Sequence, residues 1–228
     1  MSDNTLNGIK KNSPEQAKRS QEVLQFWFPS QFTRDQATIV RQWSWWFRGG
    51  GDAEITERFS SLAEQARQGE LDDWTSEPRS RLALILILDQ FSRSLYRGTA
   101  QAFAQDSKAC NLAIEGIHLG HYKAQETPWE KTFILLPLGH SEDLKNLEWA
   151  IELADELVKE APLEYRALLE FSAAQARRHQ GVLTRFGRQP HRNQVLGRRS
   201  TPEELQYLAN EQLVHTHPMP PQLSQFLS

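Results

Sequence analysis

The sequence contains very little cysteine, and this scarcity limits both its chemistry and its compartment. Cys110 is the only cysteine among 228 residues, so no disulfide can form within one chain. A reducing compartment is therefore expected. Cys110 lies on the apolar face of a predicted helix with Ala113 and Ile114, which indicates a core residue rather than a catalytic thiol.

Long hydrophobic runs are also missing. The longest run, Leu82 to Leu88, has seven residues, whereas a transmembrane helix needs about 20. The N-terminal residues MSDNTLNGIKKNSPEQ contain no apolar segment of the kind found in secretory signals. We therefore expect a cytoplasmic protein with no part in the membrane.

An excess of positive charge is absent, and so are the common catalytic motifs. The formal net charge is −3 and the sequence pI is about 6.2, so we expect no nucleic-acid partner. The chain has no phosphate-binding glycine loop, no dinucleotide fingerprint, no GxSxG and no HExxH. The sequence consequently indicates no particular cofactor, predicts no metal site and leaves the reaction type open.

Helix-forming patterns are abundant. Three segments have the form of a capping box with proline at the first helical position: 13–16, 127–130 and 201–204. Apolar residues also recur at helical spacing through most of the chain. We predict an all-α protein without a sheet, in which a single domain of antiparallel helices covers residues 13–228. Residues 1–12 are polar and are predicted to be disordered.

The segment Leu82–Phe91 is predicted to be a central buried helix. It is apolar except for Asp89 and Gln90, and no second strand candidate exists to pair with it. Ser76 is the expected N-cap of this helix, and Pro78 suits its first turn. Asp89 needs a charged partner if it is buried, and Arg93, four residues on, lies on the same face. This pair is either a structural ion pair or part of a pocket.

Arginine is concentrated between residues 177 and 199, where the chain has seven arginines, no lysine and no acidic residue. Arginine without lysine favours planar, bidentate pairing with a carboxylate or phosphate group. The acceptor is either an external anion or the acidic segment 141–160, which carries seven acidic residues. Both alternatives remain open from the sequence.

The block Leu136–Asp143 is predicted to be a loop followed by a helix start. Ser141 would be the N-cap, with Glu142 and Asp143 in the first turn. His140 would then be free to face a cleft. His140 and His191 are candidates for acid–base chemistry, although a capping or structural histidine is the simpler interpretation.

Several long blocks of the sequence resemble the bacterial DUF924 family over roughly residues 20–210. These blocks are FWF at 26–28, WWF at 45–47, LDQFSRSLYRGTAQAFAQD at 88–106, LPLGHSEDL at 136–144 and RFGRQPHRNQVLGRRSTPEE at 185–204. The resemblance implies an all-α, TPR-like helical fold and supplies no biochemical function. This chain departs from the family's tendencies at Ser92, Ser94 and Gln189, where the family favours proline, asparagine and an aromatic residue.

The sequence supports a hypothesis of a polar pocket that binds a small anionic ligand, with or without catalysis. The catalytic candidates are His191, His140 and Asp89. The ligand-binding candidates are Arg93, Arg97, Glu142, Arg185, Arg188, Arg192 and Asn193. The alternative is a TPR-like interaction scaffold in which the same arginines and acids form a structural ion-pair network. The expected partner is a small anionic molecule or a peptide, and the oligomeric state stays open.

Overall fold

The computed structural model describes residues 12–31, 33, 35–210, 214 and 217–227. Within these residues the regular elements are helices and no strand occurs, which confirms the predicted all-α class. The tail predicted to be disordered lies outside the described residues except for Asn12. The TPR-like packing and the single domain over 13–228 stay predictions. None of the described helices is long and apolar enough to cross a membrane.

The helices follow one another with short connections. They are α1 Pro14–Trp27, α2 Gln36–Phe47, α3 Asp52–Gln68, α4 Pro78–Leu86, α5 Ser92–Leu95, α6 Asp106–His118, α7 Pro128–His140, α8 Leu144–Glu160, α9 Leu163–Phe186, α10 Pro202–Asn210 and α11 Pro221–Ser224. A π turn, Ile87–Phe91, joins α4 to α5. Short 3-10 turns occur at Asp72–Ser76, Ala100–Phe103, Pro190–Arg192 and Gln225–Leu227.

The three predicted capping boxes are present and begin α1, α7 and α10. At Ser13 and Thr127 the side-chain oxygen accepts the backbone N–H of the third helical residue, whose own side chain accepts the cap N–H. At Thr201 the backbone N–H donates to Glu204 Oε2 over 2.7 Å, and Glu204 N donates to Thr201 Oγ1 over 3.2 Å. Local sequence therefore determines where these helices begin.

The predicted central helix is confirmed over Pro78–Leu86, where α1, α6, α7 and the turn Asp72–Ser76 pack around α4. Its predicted N-cap is wrong. Ser76 ends the preceding 3-10 turn and donates its hydroxyl back to Asp73 O over 2.9 Å. Glu77 occupies the cap position in an extended conformation, with no side-chain capping bond.

The loop predicted at Leu136–Asp143 is also wrong in its first half. α7 continues to His140 with Pro137 inside it. Leu135 and Leu138 remain buried in this stretch, and their burial favours continuing the helix despite the missing proline N–H. Asp143, not Ser141, caps α8: its Oδ1 accepts Lys145 N at 2.8 Å and Asn146 N at 3.1 Å. His140 is therefore fixed at a helix end.

The helices α6, α7, α8 and α9 pack against one another in chain order, and α2 packs against α9. One large hydrophobic core unites them with α1, α3 and α4, and it contains most of the tryptophans. Trp46, for example, donates its indole N–H to Trp27 O over 2.8 Å. This arrangement brings α2, α7, α8 and α9 around a common space next to His140.

Candidate functional site

The π turn between α4 and α5 determines the position of Asp89. Ser92 N bonds to Ile87 O, five residues back, so one extra residue is inserted into an otherwise continuous helix. Asp89 lies in the middle of this turn and is fully buried. Insertions of this kind occur frequently at functional sites. The helical periodicity of the sequence gave no sign of it.

Asp89 has three side-chain partners. Arg93 Nη1 lies 3.0 Å from Asp89 Oδ1, which confirms the predicted pair. His140 Nδ1 lies 2.8 Å from the same oxygen, and Gln90 Nε2 donates to Oδ2 over 2.6 Å. Burial raises the pKa of Asp89, but the charges of Arg93 and His140 and the hydrogen bonds outweigh burial and hold this pKa below its usual value. Asp89 is therefore a carboxylate at neutral pH.

A second carboxylate, Asp106, completes the site and was not predicted. Arg93 Nη2 lies 3.0 Å from Asp106 Oδ1, and Arg192 Nη1 lies 3.2 Å from Oδ2. Burial raises the pKa of Asp106, while the positive charge of Arg93 opposes this shift. Asp106 belongs to the same sequence block as Asp89, and its place at the start of a helix was the only signal available.

We call Asp89, Arg93, Asp106, His140 and Arg192 the acid–arginine cluster. The guanidinium carbons of both arginines lie over the ring of Phe103, 5.6 Å and 4.9 Å from its centroid. Arg192 Nη1 also donates to His140 O over 2.9 Å, which links the end of α7 to the turn at Pro190. Burial lowers the pKa of Arg192. Two carboxylates balance two guanidinium groups, so the cluster is neutral when His140 is neutral.

The bond to Asp89 determines the proton position on a neutral His140. A carboxylate only accepts hydrogen bonds, so Nδ1 carries the hydrogen and Nε2 presents a lone pair. Nε2 makes no hydrogen bond with the residues that the structure describes. The side chain of His140 is 21% exposed, and the residue lines a cavity. His140 therefore combines an unpaired ring nitrogen with a place in the wall of that cavity.

The cavity lies between α2, α7, α8 and α9 and has a volume of about 220 Å³. Most of its lining is apolar: Trp43, Phe47, Leu135, Leu136, Gly139, Ala150, Ala154, Leu157, Leu169, Ala173, Ala176 and Val214. The polar lining residues are Thr132, His140, Ser172, Gln175 and His179. The sequence did not reveal this space because its walls combine α2 with α7, α8 and α9, which come much later in the chain. An apolar cavity of about 150 Å³ already holds benzene.

The arginine-rich segment 177–199 is largely paired within the molecule. Five of its arginines form ion pairs: Arg177–Asp155, Arg185–Glu203, Arg188–Glu204, Arg192–Asp106 and Arg198–Glu142. The acceptors of Arg177 and Arg198 lie in the predicted acidic segment 141–160, and the others do not. Among the described residues, Arg178 and Arg199 have no carboxylate partner.

A second polar network, centred on Glu142 and Glu204, adjoins the cluster. Glu142 Oε1 accepts Arg198 Nη2 at 2.9 Å and Gln189 N at 2.8 Å. Burial raises the pKa of Glu142, but the hydrogen bonds from Arg198 and Gln189 and the charges of Arg198 and Arg192 together outweigh burial and give a net lowering. Glu204 accepts Arg188 Nε at 2.6 Å and Asn193 Nδ2 at 3.2 Å. The Arg188 hydrogen bond is the main cause that lowers the pKa of Glu204 to about 2.

The predicted site residues therefore fall into three groups. Asp89, Arg93, His140 and Arg192 come together in the acid–arginine cluster. The second group is the adjoining network, which contains Glu142, Arg188 and Asn193. The third group lies apart: Arg97 pairs with Asp52, Arg185 pairs with Glu203, and His191 lines an open cleft beside α10.

Gln189 is a buried amide whose side chain has no partner among the described residues. It is 1% exposed, and neither Oε1 nor Nε2 makes a hydrogen bond with the described residues.

An unpaired buried amide costs about 1–3 kcal/mol of folding free energy. We therefore expect Gln189→Leu to raise the free energy of unfolding by about 1 kcal/mol, as measured by urea denaturation. The control is Gln125→Leu, which removes an amide that donates to Pro78 O over 3.1 Å; this variant should be less stable than the wild type. A destabilised Gln189→Leu protein would show that the amide has a partner.

Comparison with known proteins places the chain in a family but gives it no activity. No curated protein matches the sequence. A solved structure from Agrobacterium tumefaciens, described as a protein of unknown function, is 33% identical, with a TM-score of 0.65. The match covers 84% of this chain and 97% of that chain. Residues 23–212 match the family described as bacterial protein of unknown function, so this chain belongs to the DUF924 family.

Proposed function

We propose that the cavity between α2, α7, α8 and α9 binds a small, largely apolar molecule that donates a hydrogen bond to His140 Nε2. The observation that carries the proposal is the double role of His140. One ring nitrogen is held by the buried Asp89 at 2.8 Å, and the residue also lines the cavity. A few polar groups placed in an apolar pocket are the usual composition of a ligand site.

The ligand that fits this lining differs from the anion favoured by the sequence. Most lining residues are apolar, and none of the described ones is an arginine or a lysine. The guanidinium groups of Arg188, Arg192 and Arg198 are each paired with a carboxylate. An apolar body with a hydroxyl or amine group satisfies the lining and the lone pair of His140. An anionic ligand would instead require a protonated His140.

The same geometry prepares His140 to accept a proton from the bound group. Asp89 orients the imidazole and stabilises the imidazolium that would form, which is the arrangement used for general-base chemistry. Asp89 would act only as a positioning residue, because His140 stands between it and the cavity. Arg93, which also pairs with Asp106, would hold Asp89 in place. The proposed proton acceptor is His140, and the reaction is left open.

The binding test uses p-cresol and toluene, which differ by one hydroxyl group. We expect both to bind the wild-type protein in NMR titrations, with p-cresol binding about 3- to 10-fold more tightly because of one net hydrogen bond. In His140→Asn, the amide nitrogen replaces Nδ1 as the donor to Asp89, while Nε2 is lost. The ratio of p-cresol affinity to toluene affinity should then fall to about one in this variant. The control Ala154→Leu fills the cavity and should weaken both ligands equally.

Two results would contradict the proposal. If neither compound binds at millimolar concentration, the cavity is not a ligand site. If p-cresol keeps its advantage in His140→Asn, its hydroxyl does not contact Nε2. Benzoate tests the anionic version directly, because it replaces the hydroxyl group of p-cresol with a carboxylate. Preference for benzoate over p-cresol would favour the anionic ligand.

A structural role for the arginine motifs is a second candidate, and the pairing of five arginines favours it. Arg192 joins α6 to the end of α7, and Arg198 joins the segment after α9 to the start of α8. The function would then lie on the protein surface. The p-cresol experiment separates the two candidates, because a purely structural network gives no hydroxyl preference.

A further inference from the structure

We propose that the open cleft beside α10 binds a short peptide with an acidic side chain next to an apolar one. The cleft lies outside the cavity at His140, so this proposal goes beyond the function proposed above. Its volume is about 970 Å³. Among the ten described residues that line it, none is acidic and two, Arg198 and Arg199, are arginines.

Arg199 carries the charge argument. It is exposed, and its guanidinium group has no hydrogen bond or ion pair with the residues that the structure describes. The neighbouring charges are already balanced, because Arg198 pairs with Glu142, Arg188 with Glu204 and Arg185 with Glu203. The unbalanced charge at this surface is therefore the guanidinium of Arg199, which matches a carboxylate with two parallel hydrogen bonds.

The backbone around Arg199 is held in place before any partner binds. Arg188 Nη2 donates to Arg199 O over 2.9 Å, and Asn193 Nδ2 donates to Ser200 Oγ over 3.0 Å. Arg198 N also donates to Asn193 O over 2.8 Å. A preformed loop loses little conformational entropy on binding, so more of the interaction energy contributes to affinity. The buried Glu204 network thereby supports the presentation of Arg199.

The other wall of the cleft is apolar. Leu205, near the start of α10, is 57% exposed, and Leu208 is only partly buried one turn later. Covering these side chains removes apolar surface from water, which favours association. A partner with an acidic residue beside an apolar one satisfies both walls. Because the cleft is open, a short peptide can contact both walls at once.

The test begins with a displayed library of random heptapeptides selected on the wild-type protein. We expect enrichment of peptides with Asp or Glu beside an apolar residue. The affinity of one selected peptide is then measured by fluorescence anisotropy on four proteins: wild type, Arg199→Gln, Leu205→Ser and the control Arg178→Gln. Arg178 is an exposed arginine in the same segment, and it bonds to Gln175 outside the cleft. All three substitutions are at exposed positions, so folding should be preserved.

Arg199→Gln should weaken binding at least about 10-fold, the effect of losing a charged hydrogen bond. Leu205→Ser should weaken it several-fold, and Arg178→Gln should leave it unchanged. The proposal is overturned if the selection enriches no acidic motif, or if Arg199→Gln and Arg178→Gln bind equally. Displacement of the peptide by millimolar citrate, with no effect of Leu205→Ser, would identify a small-anion site and overturn the peptide assignment.

Discussion

Asp89→Ala should lower the free energy of unfolding by about 3–5 kcal/mol, the usual effect of removing one partner from a buried charged network. The substitution leaves Arg93 with Asp106 as its remaining carboxylate partner and removes the acceptor of His140 Nδ1. The Arg93 guanidinium and the His140 imidazole stay partly buried, and water replaces their lost bonds only incompletely. Urea denaturation monitored by tryptophan fluorescence measures the change.

The matched control is Asp155→Ala, which also removes a carboxylate that pairs with an arginine. Asp155 and Arg177 are 37% and 47% exposed, so water takes over their hydrogen bonds. Exposed ion pairs contribute about 0–1 kcal/mol. If the two variants lose similar stability, the acid–arginine cluster does not hold the helices together.

Glu204→Ala should have the second largest effect, a loss of about 2–4 kcal/mol. The variant removes the capping box of α10 and the bidentate partner of Arg188 at 2.6 Å and 2.8 Å. It also removes an acceptor of Asn193 Nδ2. Differential scanning calorimetry should show a lower melting temperature, and hydrogen exchange should show loss of protection in α10.

The control for this prediction is the neighbouring residue Glu203. The side chains of Glu203 and Arg185 are both exposed, so Glu203→Ala should change the free energy of unfolding by less than about 1 kcal/mol. A loss in Glu203→Ala as large as that in Glu204→Ala would contradict the assignment of the network to Glu204.

Stability measured as a function of pH gives a second test of the contribution of Glu204. Its pKa is about 2 in the folded protein, below the value near 4.3 expected in the unfolded chain. The contribution of the Glu204 carboxylate to the free energy of unfolding is therefore fully present above about pH 5. It is lost as the pH falls through the interval from 4.3 to 2. Glu204→Ala should lack this acid-dependent part of the stability curve.

The sequence predicted the elements that depend on near neighbours in the chain. Capping boxes act across three residues, so Thr127 and Thr201 reliably marked helix starts. Asp89 and Arg93 are four residues apart, and this helical spacing predicted their ion pair. Helix periodicity predicted the all-α class for the same reason, because the apolar face of each helix consists of residues three or four positions apart.

The sequence failed where distant residues decide the structure. Arg192 and Asp106 are 86 residues apart, and no local pattern connects them. The helix through Pro137 depends on the burial of its leucine neighbours, which outweighs the local preference for a break. The π turn shifts Asp89 by one residue relative to regular helical spacing. The choice between an external anion and internal partners for the arginines also required the fold.

The central claim is that His140 Nε2 presents a lone pair to a molecule in the cavity, and nitrogen NMR of the imidazole tests it most directly. At a pH where His140 is neutral, we predict the Nδ1–H form, with an Nε2 resonance that shifts on adding p-cresol and stays in place with toluene. An Nε2–H form in the free protein, or an Nε2 resonance unchanged at saturating p-cresol, would contradict the account.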